Sequence, residues 1–286
     1  MTPEEMLERL MHFAKTDERI RAAALDGSRA DKDALHDAYS DIDIVWFVRD
    51  VREFTRDRSW ISAYGKVLIA QFPDDWYSHP YDYDGRQAYH CLVQYEDGNR
   101  IDFTLYDLEN AEDAAQNAEP RRILLDKDGF DWLRQVEGNE AYYVRKPSLK
   151  EYQDVCNEFR WLSLYVAKGL CRNQFNYARY HLQDGMGGMF LKMVTWKIGT
   201  EHAFRVSCGA HEKYLERFLT EEEMARVRAA FPGGDAGKMW EGLFGMMDYF
   251  EELAQIVAHR LSFPYEEEEA RRVRRFLEER AGIRGK

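Results

Sequence analysis

Three aspartates and a glycine-serine turn are the residues of this chain best suited to chemistry. Asp41 and Asp43 flank Ile42 at the head of an apolar run, IDIVWFV, over 42–48. Side chains alternate faces along a strand, so both carboxylates point one way, with Cβ atoms about 6–7 Å apart, while Ile42 and Ile44 point the other. Like charges this close repel, and burying them is costly unless a cation sits between them. Mg²⁺, one ion or two, suits such a pair, because it takes carboxylate oxygens and keeps phosphates and waters as its other ligands. Asp102, in NRIDFTLYD, is a third acid within a strand of Ile101, Phe103 and Leu105. A hairpin would bring it beside the first two, and three acids around two metals form a clamp for in-line phosphoryl or nucleotidyl displacement. Gly27 lets the backbone approach a phosphate, and Ser28 adds its N–H and hydroxyl in a turn of the anion-binding kind. Alone, an Asp-x-Asp pair is commonly a solvated turn and a Gly-Ser means little. The ordered combination reads as a site.

The elements that must hold these residues follow from hydrophobic period. An amphipathic helix is predicted over 4–15, then strands at IRAAALDGS, at 42–48, 66–72, 87–96 and 100–108, the last two joined by the hairpin signal EDGNR. After VRKPS the pattern turns helical: 149–170, 174–199 (interrupted by Gly185, Gly187 and Gly188), 236–262 and 265–281. The last begins with glutamates and ends in arginines, the order a helix dipole favours. The reading is an α+β chain, with a mixed-sheet domain over 1–146 and a helical bundle domain over 147–286. Trp161 and Trp196 fall at core spacing.

Composition narrows the function classes. With 45% hydrophobic and 32% charged residues in 286, the chain carries enough apolar material for a sizeable core. No run approaches the roughly 18 apolar residues of a membrane span, and the amphipathic start is not a signal peptide, so a cytoplasmic protein is expected, monomer or homodimer. The 4 cysteines show no metal or disulfide spacing and read as buried thiols. A net charge of −12 disfavours nucleic-acid binding and is compatible with a small polycationic substrate. Asp74, Asp75, Asp82, Asp84, Glu96 and Asp97 would line an acidic mouth or simply be solvated loop. Tyr77, Tyr81 and Tyr83 would pack on a sugar or guanidinium face, or pack ordinarily. His181 reads as a packing residue.

The series GSR, SDIDI and RIDFTL resembles the signature of the polymerase-β-like nucleotidyltransferases. Within that superfamily the chain is similar to the aminoglycoside 6-adenylyltransferases, also called streptomycin adenylyltransferases. DERIRAAALDGSRA, LLDKDG, VRKPSLKEYQDVCNEF, YVAKGLCR, MVTWKIG and KYLERFL carry that likeness along most of the chain. The resemblance implies an N-terminal mixed-sheet nucleotidyltransferase domain, a C-terminal helical bundle, ATP·Mg²⁺, and a cationic aminoglycoside, streptomycin foremost. The drug hydroxyl would attack the α-phosphate and pyrophosphate would leave. Asp41 and Asp43 would bridge the metals, and Asp102 would hold the one nearer the attacking hydroxyl. Gly27, Ser28 and Arg29 would hold the triphosphate, with Lys168, Lys197 and Lys213 of the helical domain meeting its phosphates.

Three departures bear on the acceptor. Tyr180 precedes His181 where the family often has an Asp that can serve as base. QDGMGGM is Gly-rich where a regular helix is expected, and Ala210 stands where relatives often have Lys, although Lys213 is kept. Glu158 and Asp184 are the acids left as candidate bases. The same chemistry on another small-molecule or protein acceptor is the alternative, and a nucleotidyltransferase-fold toxin–antitoxin component is a third reading.

Overall fold

The computed structural model describes residues 1–31, 34, 37, 40–76, 88–112 and 119–282. Contacts along the chain cluster into two units, Met1–Ala141 and Tyr142–Lys286.

The first unit is built on a six-stranded mixed sheet of order β3-β4-β5-β2-β1-β6. Its strands are β1 (Ile20–Leu25), β2 (Ile42–Val48), β3 (Val67–Gln71), β4 (Tyr89–Tyr95), β5 (Arg100–Asp107) and β6 (Arg122–Asp126). Every pairing is antiparallel except β2 with β5 at the sheet's centre. That one parallel contact fits the long connection between the two strands, because a hairpin joins antiparallel neighbours only. Helix α1 (Pro3–Thr16) starts with a reciprocal cap between Thr2 and Glu5 and lays Met6, Leu10 and Ala14 on the sheet. The short α2 (Val51–Arg56) buries Val51 and Phe54 on the same side.

Alternation along β2 splits its side chains between two cores. Ile42, Ile44, Trp46 and Val48 join the larger one under α1, where Trp46 contacts Phe103 and Trp60 with ring centroids 5.0 and 5.4 Å apart. Val45 and Phe47 face the other side with Ala22, Ala24 and Ala111. Asp41 and Asp43 share the parity of that second, smaller face, as expected from their spacing.

The second unit is helical. It contains α3 (Leu149–Cys171), α4 (Phe175–Tyr180), α5 (Gly187–Glu201), α6 (Glu221–Ala229), α7 (Ala236–Leu261) and α8 (Glu267–Arg280). Ser148 with Glu151, and Thr220 with Glu223, cap α3 and α6 reciprocally. Phe159 of α3 stacks on Phe250 of α7, and the Tyr152 hydroxyl donates to the Ala254 carbonyl at 2.9 Å. Between α4 and α5, His181–Met186 winds as a π-helix. Gly185 sits in that turn because a Cβ there would lie 2.8 Å from Leu162 Cδ1. The Gly-rich departure is therefore a close approach of the turn to α3, not a break in the helix.

The α+β architecture is as the sequence reading expects, with some elements and environments differing. Strand β6 and helix α6 were not anticipated. Trp161 is 53% exposed, and its neighbour Arg160 takes the buried position at 3%. Arg160 forks onto Glu251 of α7 at 2.9 and 2.8 Å and reaches Glu269 of α8 at 3.1 Å, so three helices meet on one guanidinium. Cys91, Cys156 and Cys208 are buried, whereas Cys171 is exposed. No helix among the described residues is long and apolar enough to cross a membrane.

Candidate active site

Parallel register assembles the acids. Asp43 of β2 is the direct partner of Asp102 on β5, so the two carboxylates stand side by side on one face at the sheet's centre. Asp41 precedes β2 by one residue and shares that face. The alternation that leaves Asp102 half-buried sends Ile101, Phe103 and Leu105 into the core.

The turn after β1 closes over Asp43. Gly27 has φ +64, and a Cβ there would fall 2.1 Å from Asp43 Oδ2. Only glycine fits, because the left-handed backbone and the carboxylate both exclude a side chain. The Asp26 N–H donates to the Asp43 carbonyl at 3.0 Å, tying the turn to β2. Gly27–Arg29 forms a single 3₁₀ turn, with Ser28 and Arg29 half-buried. The Arg29 guanidinium donates to the backbone carbonyls of Asp41 at 3.0 Å and Ser40 at 3.1 Å. Arg29 thus positions the segment that carries Asp41.

Two arginines escaped the sequence reading. Arg121 is buried and forks onto Asp26 at 2.7 and 2.6 Å. Arg100 forks onto Asp102 at 2.8 and 2.7 Å and comes within 3.5 Å of Asp41 Oδ2. The only sequence signal for Arg100 is its place two residues before Asp102, hence on the same strand face. Arg121 carried no usable signal, because its partner lies far away in the chain.

Asp43 has no ion-pair partner among the described residues. Burial pushes its carboxyl up to about 6, and the nearby Asp102, Asp41 and Asp26 add to the rise while Arg100 opposes it. Such a carboxylate is short of positive charge, which is what a divalent cation supplies. The donor set, all carboxylate oxygen, also suits a hard cation such as Mg²⁺. Among the described residues no three acid, histidine or cysteine side chains are gathered closely enough to hold a metal as they stand.

The other residues singled out from sequence lie in the helical unit. Lys197 is buried with its ammonium 2.8 Å from Glu223 and 3.0 Å from Glu201. Burial works against that charge, and the two glutamates outweigh it, so its pKa lies above the ordinary value. Lys168, Lys213, Glu158 and Asp184 are exposed, with the Lys213 ammonium 5.2 Å from the Tyr214 ring. His181 packs among Tyr165, Tyr177 and Tyr180. In the first unit, Asp75 pairs with Arg58, and Asp74 accepts from the His90 backbone. Tyr77, Tyr81, Tyr83, Asp82 and Asp84 lie outside the described residues.

Residues 1–280 match the family described as streptomycin adenylyltransferase. The aminoglycoside 6-adenylyltransferase of Bacillus subtilis (strain 168) is 32% identical over 263 residues, 92% of either chain. That of Campylobacter jejuni is 32% identical over 261 residues, 91% of this chain and 90% of the relative. A crystal structure of an aminoglycoside 6-adenyltransferase from Bacillus subtilis aligns over 98% of this chain and 99% of that one, at 29% identity and a TM-score of 0.49. This chain belongs to the streptomycin adenylyltransferase family. It is an enzyme, an adenylyltransferase.

Proposed function

We propose that the protein transfers AMP from ATP to a hydroxyl of an aminoglycoside, streptomycin foremost, releases pyrophosphate, and so inactivates the drug. The observation that carries this reading is the pairing of Asp43 with Asp102 on adjacent parallel strands beneath the Gly27 turn. Family membership supplies the adenylyl donor and the acceptor class, since the relatives are named for aminoglycosides. A net charge of −12 is compatible with a cationic acceptor.

The residues divide the work. Asp41, Asp43 and Asp102 would hold Mg²⁺, and the chemistry the metal supplies is neutralisation of the phosphates and alignment of the attacking and leaving oxygens. Gly27 gives the triphosphate a backbone it can approach, and Ser28 adds its N–H and hydroxyl. Arg29 keeps the strand entrance in place through the Ser40 and Asp41 carbonyls. An acceptor hydroxyl oxygen bonds to the α-phosphorus, the bond to pyrophosphate breaks, and the hydroxyl proton passes to a carboxylate. Glu158 and Asp184, both exposed acids of the helical unit, are the candidates for that proton. The division of labour between a nucleotidyltransferase domain over 1–146 and a substrate-binding domain over 147–286 belongs to this proposal.

Tyr180, exposed where the family often places an acid, favours one second reading: the same chemistry on a different acceptor. The test is pyrophosphate release from Mg²⁺-ATP with and without streptomycin, with the drug weighed for an added AMP. Release and mass gain only with streptomycin bear the proposal out. No release with streptomycin, from protein that binds Mg²⁺-ATP, moves the acceptor elsewhere.

A further inference from the structure

The four acids at this end of the sheet, Asp26, Asp41, Asp43 and Asp102, are served by two arginine forks of opposite character. Arg121 on Asp26 has side-chain exposures of 5% and 18%, so that fork is walled in. Arg100 on Asp102 stands at 40% and 20%, at the first residue of β5, where solvent reaches the guanidinium. A fork uses one lone pair on each oxygen of Asp102 and lays a planar cation across the carboxylate. A divalent cation seeks the same oxygens. Two cations on one carboxylate repel each other, so the guanidinium and a divalent ion compete for Asp102.

We propose that Arg100 is the resident counter-cation of the carboxylate site, holding Asp102 and Asp41 while the site is empty and releasing them in exchange for a divalent cation. This rests on the metal-site reading given above. The exchange breaks no covalent bond: one cation leaves the carboxylates and another arrives. Its cost is the loss of a charge-assisted fork, which a bare metal ion must offset alone. A metal ion carried by a triphosphate brings anionic oxygens with it, and the freed guanidinium, still tethered beside the site, has those oxygens to bind. Arg100 therefore lowers affinity for a lone divalent cation and raises affinity for the metal–nucleotide complex. The site is thereby biased against idle occupation by metal.

The two effects have opposite signs, which makes the proposal testable without turnover. Binding of MnCl₂ without nucleotide, followed by calorimetry or by the loss of free-ion paramagnetic resonance, is compared in wild type, Arg100→Gln and Asp43→Asn. Arg100→Gln is expected to bind Mn²⁺ roughly two- to fivefold more tightly, the equilibrium worth of a partly exposed charge pair. The same variant is expected to bind Mg²⁺ with a non-hydrolysable ATP analogue more weakly than wild type. Arg100→Lys, which keeps charge but cannot fork, should fall between and serves if the Gln variant does not fold. Unchanged or weaker Mn²⁺ binding by Arg100→Gln, with binding lost in Asp43→Asn, overturns the role of Arg100 alone. Undiminished Mn²⁺ binding by Asp43→Asn overturns the site itself.

Discussion

Asp43→Asn should kill the enzyme and stabilise the protein, a combination that only a strained charge produces. Asparagine keeps the shape that lies against Gly27 and removes the charge. In the metal-free protein at pH 8, keeping Asp43 ionised costs the gap between its ordinary value of 3.8 and about 6. At about 1.4 kcal/mol per pH unit that is roughly 3 kcal/mol, and about 2 kcal/mol after allowance for partial solvent screening. The sign follows from the direction of the shift. The carboxyl is raised in the fold, so the fold is favoured while Asp43 is protonated and penalised once it ionises. The penalty is absent below 3.8, grows through the interval and is complete above about 6. Melting in EDTA at pH 8 should place the variant about 4–8 °C above wild type, and the gap should close by about pH 4. Mg²⁺-ATP should then raise the melting temperature of wild type and not of the variant. Turnover of the variant should fall by about 10³-fold. A variant that melts at or below wild type at pH 8, or a gain that is the same at pH 4, would refute the reasoning.

Two further substitutions probe the scaffold. Gly27→Ala must leave the left-handed backbone or push Asp43 aside, so a loss of about 1–2 kcal/mol by denaturant titration and about 10²-fold in turnover is expected. Arg160→Ala leaves Glu251 and Glu269 without their shared cation and should cost about 3–5 kcal/mol, whereas Trp161→Ala, one residue on, should change denaturant stability by less than about 0.5 kcal/mol.

The contrast between Arg160 and Trp161 shows where sequence reading stops. Helical period locates the stripe that α3 buries, but a tryptophan beside an arginine looks like the one to go inside. The order is reversed because two glutamates from α7 and α8 make burial of the arginine affordable, and their approach is a tertiary fact. The central strands were legible because each is a compact apolar run, as in β1 and β2, or an alternation, as in β4 and β5, bounded by a turn. Strand β6 was not: it lies at the sheet's edge with exposed ends, and half-solvated alternation leaves a weak signal. Helix α6 is short and opens on three consecutive glutamates, which read as a solvated run. The Gly-Ser and Asp-x-Asp pair could be read because spacing alone puts both carboxylates on one face. The fork of Arg121 on Asp26 could not, since its partner lies at the end of a strand it meets only after folding, while that of Arg100 left only its spacing two residues before Asp102 as a signal.

The parallel pairing of β2 with β5 also sets when the site comes into being. The strand bearing Asp43 leaves the ribosome well before the one bearing Asp102, with β3 and β4 made between them. Local hairpins close quickly, while a pairing this distant in sequence waits on loop closure. A nascent chain that has folded β1, β2 and the β3–β4 hairpin has two acids in place and neither the third nor the arginine beside it. Asp102 therefore joins the two earlier carboxylates late, when the four strands made before it are there to hold them together.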